Sequence, residues 1–499
     1  SNYQKLSIMK LNKRILNKSL YFILLGAGLT LGTTSCSDYL DTEPVTDRPL
    51  EVSDTPYTKA SEAEDLMKTM YVGPGFGHSN YWQLDYFANG GMQTDEAYVS
   101  GDNQDNRQQA EYRILSTNGN VKRNWEAIYE LINNCNKVLN FVDGIKDPAL
   151  TAERKAEMKA EAAIVRALYY FHAVQLWGDV PIVTKSITSV TSENFDEVYS
   201  QIYPARKTKE EVYSFIISDL EGALAAAPNA SVSKYRATKG VAHALLAKVY
   251  ATKPNPDYNK VIQHVDQLAG DYSLLADYNQ LFDGNHNANV ESILEINSDA
   301  SNIWWWGTGM FIGDGWQRFN LPTHDLVNAF DAQGDNIRKT NSIKFDIGVS
   351  DTYWTDKNNY PFAYKQRIQD GTQHIYILRY ADLLLLKAEA KVKLGDYTGA
   401  AALVNQVRAR VNLAPIAITG ESDGINKILK ERLLELAFEG QRWFDLKRTG
   451  KALEIIKART DGKGNKLSYV NNLTEQRLLW PVPQSQLDKN PNLTQNTGY

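Results

Sequence analysis

Residues 383–413 read LLLLKAEAKVKLGDYTGAAALVNQVRARVNL. Apolar residues recur at helical spacing on both sides of Gly395, so the stretch predicts two helices joined by a turn. Gly395 supplies the backbone freedom that the turn needs. The small side chains of Ala388 and Ala400 let the two helices approach closely. A looser copy lies in ALLAKVYATKPNPDYNKVIQHVDQLAG, residues 244–270, where Tyr258, Val261, Val265 and Leu268 make the second helix. One such hairpin cannot bury its apolar face alone, so several must stack.

The positions of Ala388, Gly395, Tyr397 and Ala400 resemble the tetratricopeptide pattern of about 34 residues. The fold class that follows is mainly α, a tetratricopeptide-like helical-hairpin superhelix with a loop-rich second part and a few short strands. Ser61 with Glu64, and Thr208 with Glu211, have the spacing of capping boxes. The helix through EAAIVRALYYFHAVQLW should stop at Gly178, with Pro181 just beyond. In NWEAIYELINNCNKVLNFV, residues 124–142, Cys135 shares a helical face with Ile128, Leu131, Ile132 and Leu139, which makes it a small core residue. Residues 72–120 and 284–373 are rich in Gly, Asn, Asp and aromatics and lack long periodic runs; within the second, SILEIN and HIYILRY hint at short strands or helix entries.

The chain has 499 residues, 43% hydrophobic and 23% charged, with a net charge of −5. A mildly acidic balance with no basic stripe leaves no electrostatic footprint for nucleic acid. The aromatic share is high, with 28 Tyr and 10 Trp. Both side chains join an apolar face to a polar handle, which suits polar, ring-shaped or extended ligands.

Residues 1–36 have the layout of a targeting signal. Lys10, Lys13, Arg14 and Lys18 form a basic region, the apolar run Leu20 to Leu31 is too short to span a bilayer as a stable helix, and small residues lead to Cys36. The order resembles a bacterial lipoprotein signal, in which Cys36 is acylated; Thr33 stands where such signals usually carry leucine, and a plain secretory signal is the alternative. Residues 37–60, acidic and proline-containing, read as an extended tether, and 61–499 as the folded body. With Cys36 acylated, Cys135 has no thiol partner for a disulfide.

Trp304, Trp305 and Trp306 are consecutive, and Trp316 follows closely. A helix or strand would send three successive side chains in different directions, so one core cannot bury them all. Part of this indole surface is expected to face solvent or a ligand.

Several stretches together resemble the SusD/RagB family of outer-membrane nutrient-binding lipoproteins. They are CSDYLDTEP after the lipid signal, TDEAYV, NWEAIYELINNCN, RALYYFHAVQLWGDVPIV, LRYADLLLLKAEA, ERLLELAFEGQRWFDLKRTG and the closing LLWPVPQSQLDKNPNLTQNTGY, in the family's order. The resemblance implies a tetratricopeptide-like scaffold and a loop-rich part laid over it. It also implies a partner, a SusC-like TonB-dependent transporter, to which a glycan, or in some members a peptide, is handed. The protein would sit in the outer membrane through its lipid, facing the cell exterior. Ligand contacts in the family tend to come from two loops. Here those loops offer Tyr98, Asp102, Asn103, Asp105, Asn106 and Arg107, then Trp304, Trp305, Trp306, Asp314, Trp316, Gln317 and Arg318. An aromatic plane can cover the apolar face of a pyranose while polar groups bond its rim, each stacked ring adding on the order of 1 kcal/mol by analogy with aromatic pairs.

Enzymatic readings find little support. HExxH, GxxxxGK[ST] and GxSxG are absent from the sequence. His172 and His243 lie in apolar helical contexts that predict core histidines. Asp102, Asp105 and Asn106 lack the spacing and closing Glu of a calcium loop, and no cofactor or metal is expected. An all-helical glycosidase would need two carboxylates flanking a sugar bond, and Asp95 with Glu96 is only an adjacent pair whose side chains should diverge. A peptide-binding member of the same family, or a tetratricopeptide adaptor, are the remaining alternatives. Arg442 and Trp443 are expected to serve packing.

Overall fold

The computed structural model describes residues 55–71, 81–296, 318–349, 351–368 and 373–499. Cys36, Trp304, Trp305, Trp306, Asp314, Trp316 and Gln317 lie outside them, as does most of the expected tether. Thr55–Tyr499 forms one compact unit.

Helices dominate. In chain order they are α1 (Ala60–Tyr71), α2 (Tyr86–Gly91), α3 (Gln104–Ala110), α4 (Gly119–Phe141), α5 (Ala152–Trp177), α6 (Phe195–Ile202), α7 (Lys209–Ala223), α8 (Lys239–Thr252) and α9 (Tyr258–Asp266). Then come α10 (His324–Gln333), α11 (Asn336–Ser342), α12 (Tyr380–Lys393), α13 (Tyr397–Arg410), α14 (Glu421–Glu435), α15 (Arg442–Arg448), α16 (Ala452–Lys457) and α17 (Gln484–Leu487). Each long helix packs on the next: α1 on α4, α4 on α5, α5 on α7, α7 on α8, α8 on α9, α9 on α12, and α12 on both α13 and α14. This serial stacking is the superhelix predicted from the two hairpins.

Local chemistry explains the ends. Thr208 caps α7 through a complete capping box with Glu211, each side chain satisfying a backbone N–H that the helix leaves open. The expected box at Ser61 does not form: α1 begins at Ala60, and Glu62 instead accepts the N–H groups of Thr58 and Lys59 at 2.7 and 2.8 Å. Helix α5 ends at Gly178, whose φ of +73° suits glycine alone among common residues. Gly395, at φ +83°, makes the turn between α12 and α13. Cys135, Trp177, Trp443 and Trp480 are fully buried.

The strands are short: β1 (Ala97–Tyr98), β2 (Ser292–Ile296), β3 (Leu321–Pro322), β4 (Ile343–Asp346), β5 (Tyr360–Ala363) and β6 (Ile375–Arg379). They form three antiparallel pairs, β1 with β3, β2 with β6 and β4 with β5. SILEIN and HIYILRY thus do supply strands, and they pair with each other. Residues 284–373 hold more regular structure than expected, since α10 and α11 fall inside them.

Buried charge ties the strand-bearing part to the helical scaffold. Arg379 reaches Glu291, Glu435 and Glu439, each at 2.7 Å. Arg410 bonds Glu291 and Glu435. Arg338 bonds Asp335, Glu431 and Glu435 at 2.5, 2.7 and 3.1 Å, and Lys365 bonds Glu439 at 2.7 Å. Burial costs each charge its hydration, so the cluster is tolerable only because every ion faces an opposite one.

Candidate functional site

The site is set by β1 and β3. Ala97 pairs with Pro322 and Tyr98 with Leu321. The ladder continues beyond the strands: the Ser100 N–H donates to the Arg318 carbonyl at 3.1 Å, and the Thr323 N–H to the Glu96 carbonyl at 3.1 Å. The Thr323 hydroxyl donates to the Asp95 carbonyl. The loop after TDEAYV and the chain that arrives at Arg318 therefore leave one ribbon side by side, although they are far apart in sequence.

Two signature stretches fix the ribbon to the scaffold. Asp95 receives a two-pronged ion pair from Arg442 of α15, at 2.8 and 2.7 Å, and Arg442 also donates to the Leu429 carbonyl at 2.7 Å. Burial raises the Asp95 carboxyl, but Arg442 more than offsets it and holds the group below the usual range. Glu96 points elsewhere. It is 1% exposed, and burial pushes its carboxyl up to about 8, only partly opposed by the Phe438 amide and the charges of Lys365 and Arg442. The adjacent acids thus diverge as expected, and Arg442 and Trp443 serve packing.

Beside the ribbon, Asp351 gathers the loops. One of its carboxylate oxygens accepts from the hydroxyls of Tyr98 at 2.9 Å, Tyr360 at 2.6 Å and Ser100; the other accepts the N–H groups of Tyr353 and Trp354 at 2.8 and 2.6 Å. Tyr98 packs on Tyr353 with ring centroids 4.4 Å apart. His324 lies against Trp354 at 3.7 Å and Tyr353 at 4.6 Å. The Trp354 indole donates to the Pro322 carbonyl at 2.9 Å, which fixes the ring against β3. Tyr353, Trp354 and His324 are half-buried and form an aromatic wall along the ribbon.

The residues expected from sequence take distinct positions. Tyr98 is buried with its hydroxyl bonded, and Asn106 is buried with its amide on Asn120; both lie beneath the surface. Asn103 caps α3 by accepting the Asn106 N–H at 3.0 Å. Arg107 is half-buried and donates to the Gly101 and Ser100 carbonyls at 2.8 and 3.3 Å, so it braces the loop it was expected to arm. Asp102 is exposed and Asp105 half-buried. Arg318 is half-buried, at φ +38°, and its Nε has no partner among the described residues. Asp351, Tyr353, Trp354 and His324 were not singled out. The signal for three of them was present in DTYW, an acid and two aromatics inside a stretch already read as loop-rich.

No group of three or more His, Cys, Asp or Glu among the described residues could hold a metal ion. No helix among them is long and apolar enough to cross a membrane.

A serial helical scaffold thus carries an aromatic-walled group of loops. Two family models match this chain: "Starch-binding associating with outer membrane" over residues 38–251 and "SusD family" over residues 304–499. SusD-like protein P2 of Formosa agariphila is 28% identical over 452 residues, covering 77% of this chain and 81% of its own. Starch-binding protein SusD of Bacteroides thetaiotaomicron is 24% identical over 590 residues, covering 97% of this chain and 99% of its own. A solved laminarin-binding SusD-like protein superposes with a TM-score of 0.71 at 23% identity, covering 89% of this chain and all of its own (100%). The chain belongs to the SusD family.

Proposed function

We propose that this protein is a non-catalytic, glycan-binding lipoprotein of the outer membrane. It captures an oligosaccharide or polysaccharide at the cell surface and delivers it to a SusC-like TonB-dependent transporter. Acylated Cys36 anchors it, and residues 37–60 tether the body. The observation that carries the reading is the β1–β3 ribbon, which sets the 99–107 loop beside Arg318, with the wall of Tyr353, Trp354 and His324 alongside. Trp304, Trp305, Trp306 and Trp316 supply stacking faces; Asn103, Arg107, Asp314, Gln317 and Arg318 supply rim contacts. Tyr98 and Asn106 support the loop from below. The relatives named for starch binding and laminarin binding support a glycan over other cargo. The adjacent acids support a non-catalytic role: Asp95 is committed to Arg442, and Glu96 is buried at 1% exposure, out of reach of a sugar bond.

Calorimetry tests this on a body starting near Thr55, titrated with oligosaccharides, polysaccharides and peptides beside a Trp304→Ala/Trp305→Ala/Trp306→Ala variant checked for folding. A glycan should bind the parent and lose at least tenfold in the variant, since several stacked rings at about 1 kcal/mol each are removed. Binding of peptides alone would replace the glycan by a peptide cargo. Equal glycan affinity in both forms would remove the tryptophans from the site.

A further inference from the structure

A pocket of about 260 Å³ lies where α1, α5, β2 and β6 meet, and no residue of β1 or β3 is among the described residues that line it. The two other described cavities are about 30 and 10 Å³, room for a water or two. The larger one is lined by Tyr71, Trp82, Tyr169, Tyr235, Leu294 and Ile377 among others, and Lys68 marks its open side. Most of its polar groups are already engaged. The Trp82 indole donates to the Tyr169 hydroxyl at 3.3 Å. The Tyr71 hydroxyl donates to Glu161 and accepts the Ala237 N–H at 2.9 Å. Glu295 pairs with His374 Nδ1 at 2.8 Å and accepts the Ala288 N–H at 2.9 Å. Water entering this space would find few partners, and so would a free sugar.

We propose that this cavity is a second ligand site, for a small aromatic compound of one or two rings. Volume and lining both favour that class. An enclosed apolar cavity of about 150 Å³ takes up benzene; this pocket is larger and open on one side. Trp82, Tyr169 and Tyr235 offer ring edges and faces to an aromatic guest, an arrangement that adds to simple burial. Polar cargo gains nothing here that the ribbon site does not offer, so the two sites select opposite chemistries.

The probe is N-phenyl-1-naphthylamine, whose fluorescence rises in apolar surroundings, with indole as competitor. The parent body should bind it saturably at one site and release it to indole. Val165→Phe and Leu294→Phe fill the cavity from α5 and β2, and each should weaken binding about tenfold or more with little loss of melting temperature. Glycan binding at the ribbon should be unchanged in both, so failure of this proposal is distinct from failure of the glycan reading. Crystals soaked in 4-bromoindole provide a readout that needs no variant, with bromine expected beside Trp82. Absence of saturable binding, parent-like affinity in the folded filled variants, loss of binding in the Trp304–Trp306 variant instead, or bromine elsewhere would each overturn it.

Discussion

Asp95 and Glu96 are neighbours whose carboxyls are shifted in opposite directions. Glu96 ionises about 8 in the folded chain against 4.5 in an open one, so its contribution to stability is full below about pH 4.5 and declines as pH rises toward 8. Lys447 slopes the other way: burial lowers it from 10.5 to about 7, so it favours folding more as pH climbs from 7 and is flat below that. Buried His172 and His264, lowered to about 3 and about 4, slope against Glu96 up to about pH 6.5, so only the difference from a Glu96→Gln variant isolates Glu96. From pH 5 to 7 the melting temperature of the parent should fall relative to that of Glu96→Gln; parallel profiles would contradict the burial argument. Arg442→Ala leaves Asp95 buried and unpaired, a loss of about 3–5 kcal/mol. Denaturant unfolding should show that the Asp95→Ala/Arg442→Ala double variant costs less than the two single changes added. At this scale the sequence told much about packing. Cys135, His172 and Trp443 are buried as their helical contexts indicated. It told less about ligand contacts, because Tyr98, Asn106 and Arg107 are polar in composition but spend that polarity inside the fold.

Elements were legible where periodicity was long. The hairpin of α12 and α13, that of α8 and α9, and the stop of α5 at Gly178 all follow from apolar spacing and one glycine. Apart from SILEIN and HIYILRY, shorter elements were not. Strands of two to five residues carry no usable period, and the partner of β1 lies far along the chain, Ala97 pairing with Pro322. Helices α10 and α11, of 10 and 7 residues, were hidden among the Asn, Asp and Gly of a loop-rich stretch. Gly395 tests the turn chemistry. A Cβ there meets nothing within 4 Å, so Gly395→Ala should cost only the left-handed backbone penalty of about 1–2 kcal/mol. Thr208→Ala removes a complete capping box and should cost about 1 kcal/mol. Both are read from denaturant midpoints at unchanged slope, and a markedly larger loss at Gly395 would mean a clash that the geometry excludes.

For the molecule as a whole, the buried ion cluster decides how the strand-bearing part stays on the helices. Burial raises the Glu435 carboxyl, but Arg410, Arg379 and Arg338 more than offset this and hold it near 2. Its contribution is present above about pH 4.5, the ordinary glutamate value, and is lost as pH falls toward 2. The parent should therefore keep its far-ultraviolet dichroism into mildly acid solution. Arg379→Leu strips a partner from Glu291, Glu435 and Glu439 at once and should move the acid midpoint upward by about one pH unit or more. No sequence pattern announced this cluster, since its members are spread from Glu291 to Glu439 and each alone looks like a surface charge.

The β1–β3 ribbon joins residues far apart in the chain, Ala97 with Pro322 and Tyr98 with Leu321. Closing so long a span is entropically slow and is not rewarded until nearly everything between is in place. The hairpins, built from neighbours, can assemble as they emerge, whereas the β1–β3 ribbon must be among the last features completed. A chain that has formed its hairpins but not this ribbon would already show nearly full helix content, so helix content alone is a poor assay of whether this protein has matured.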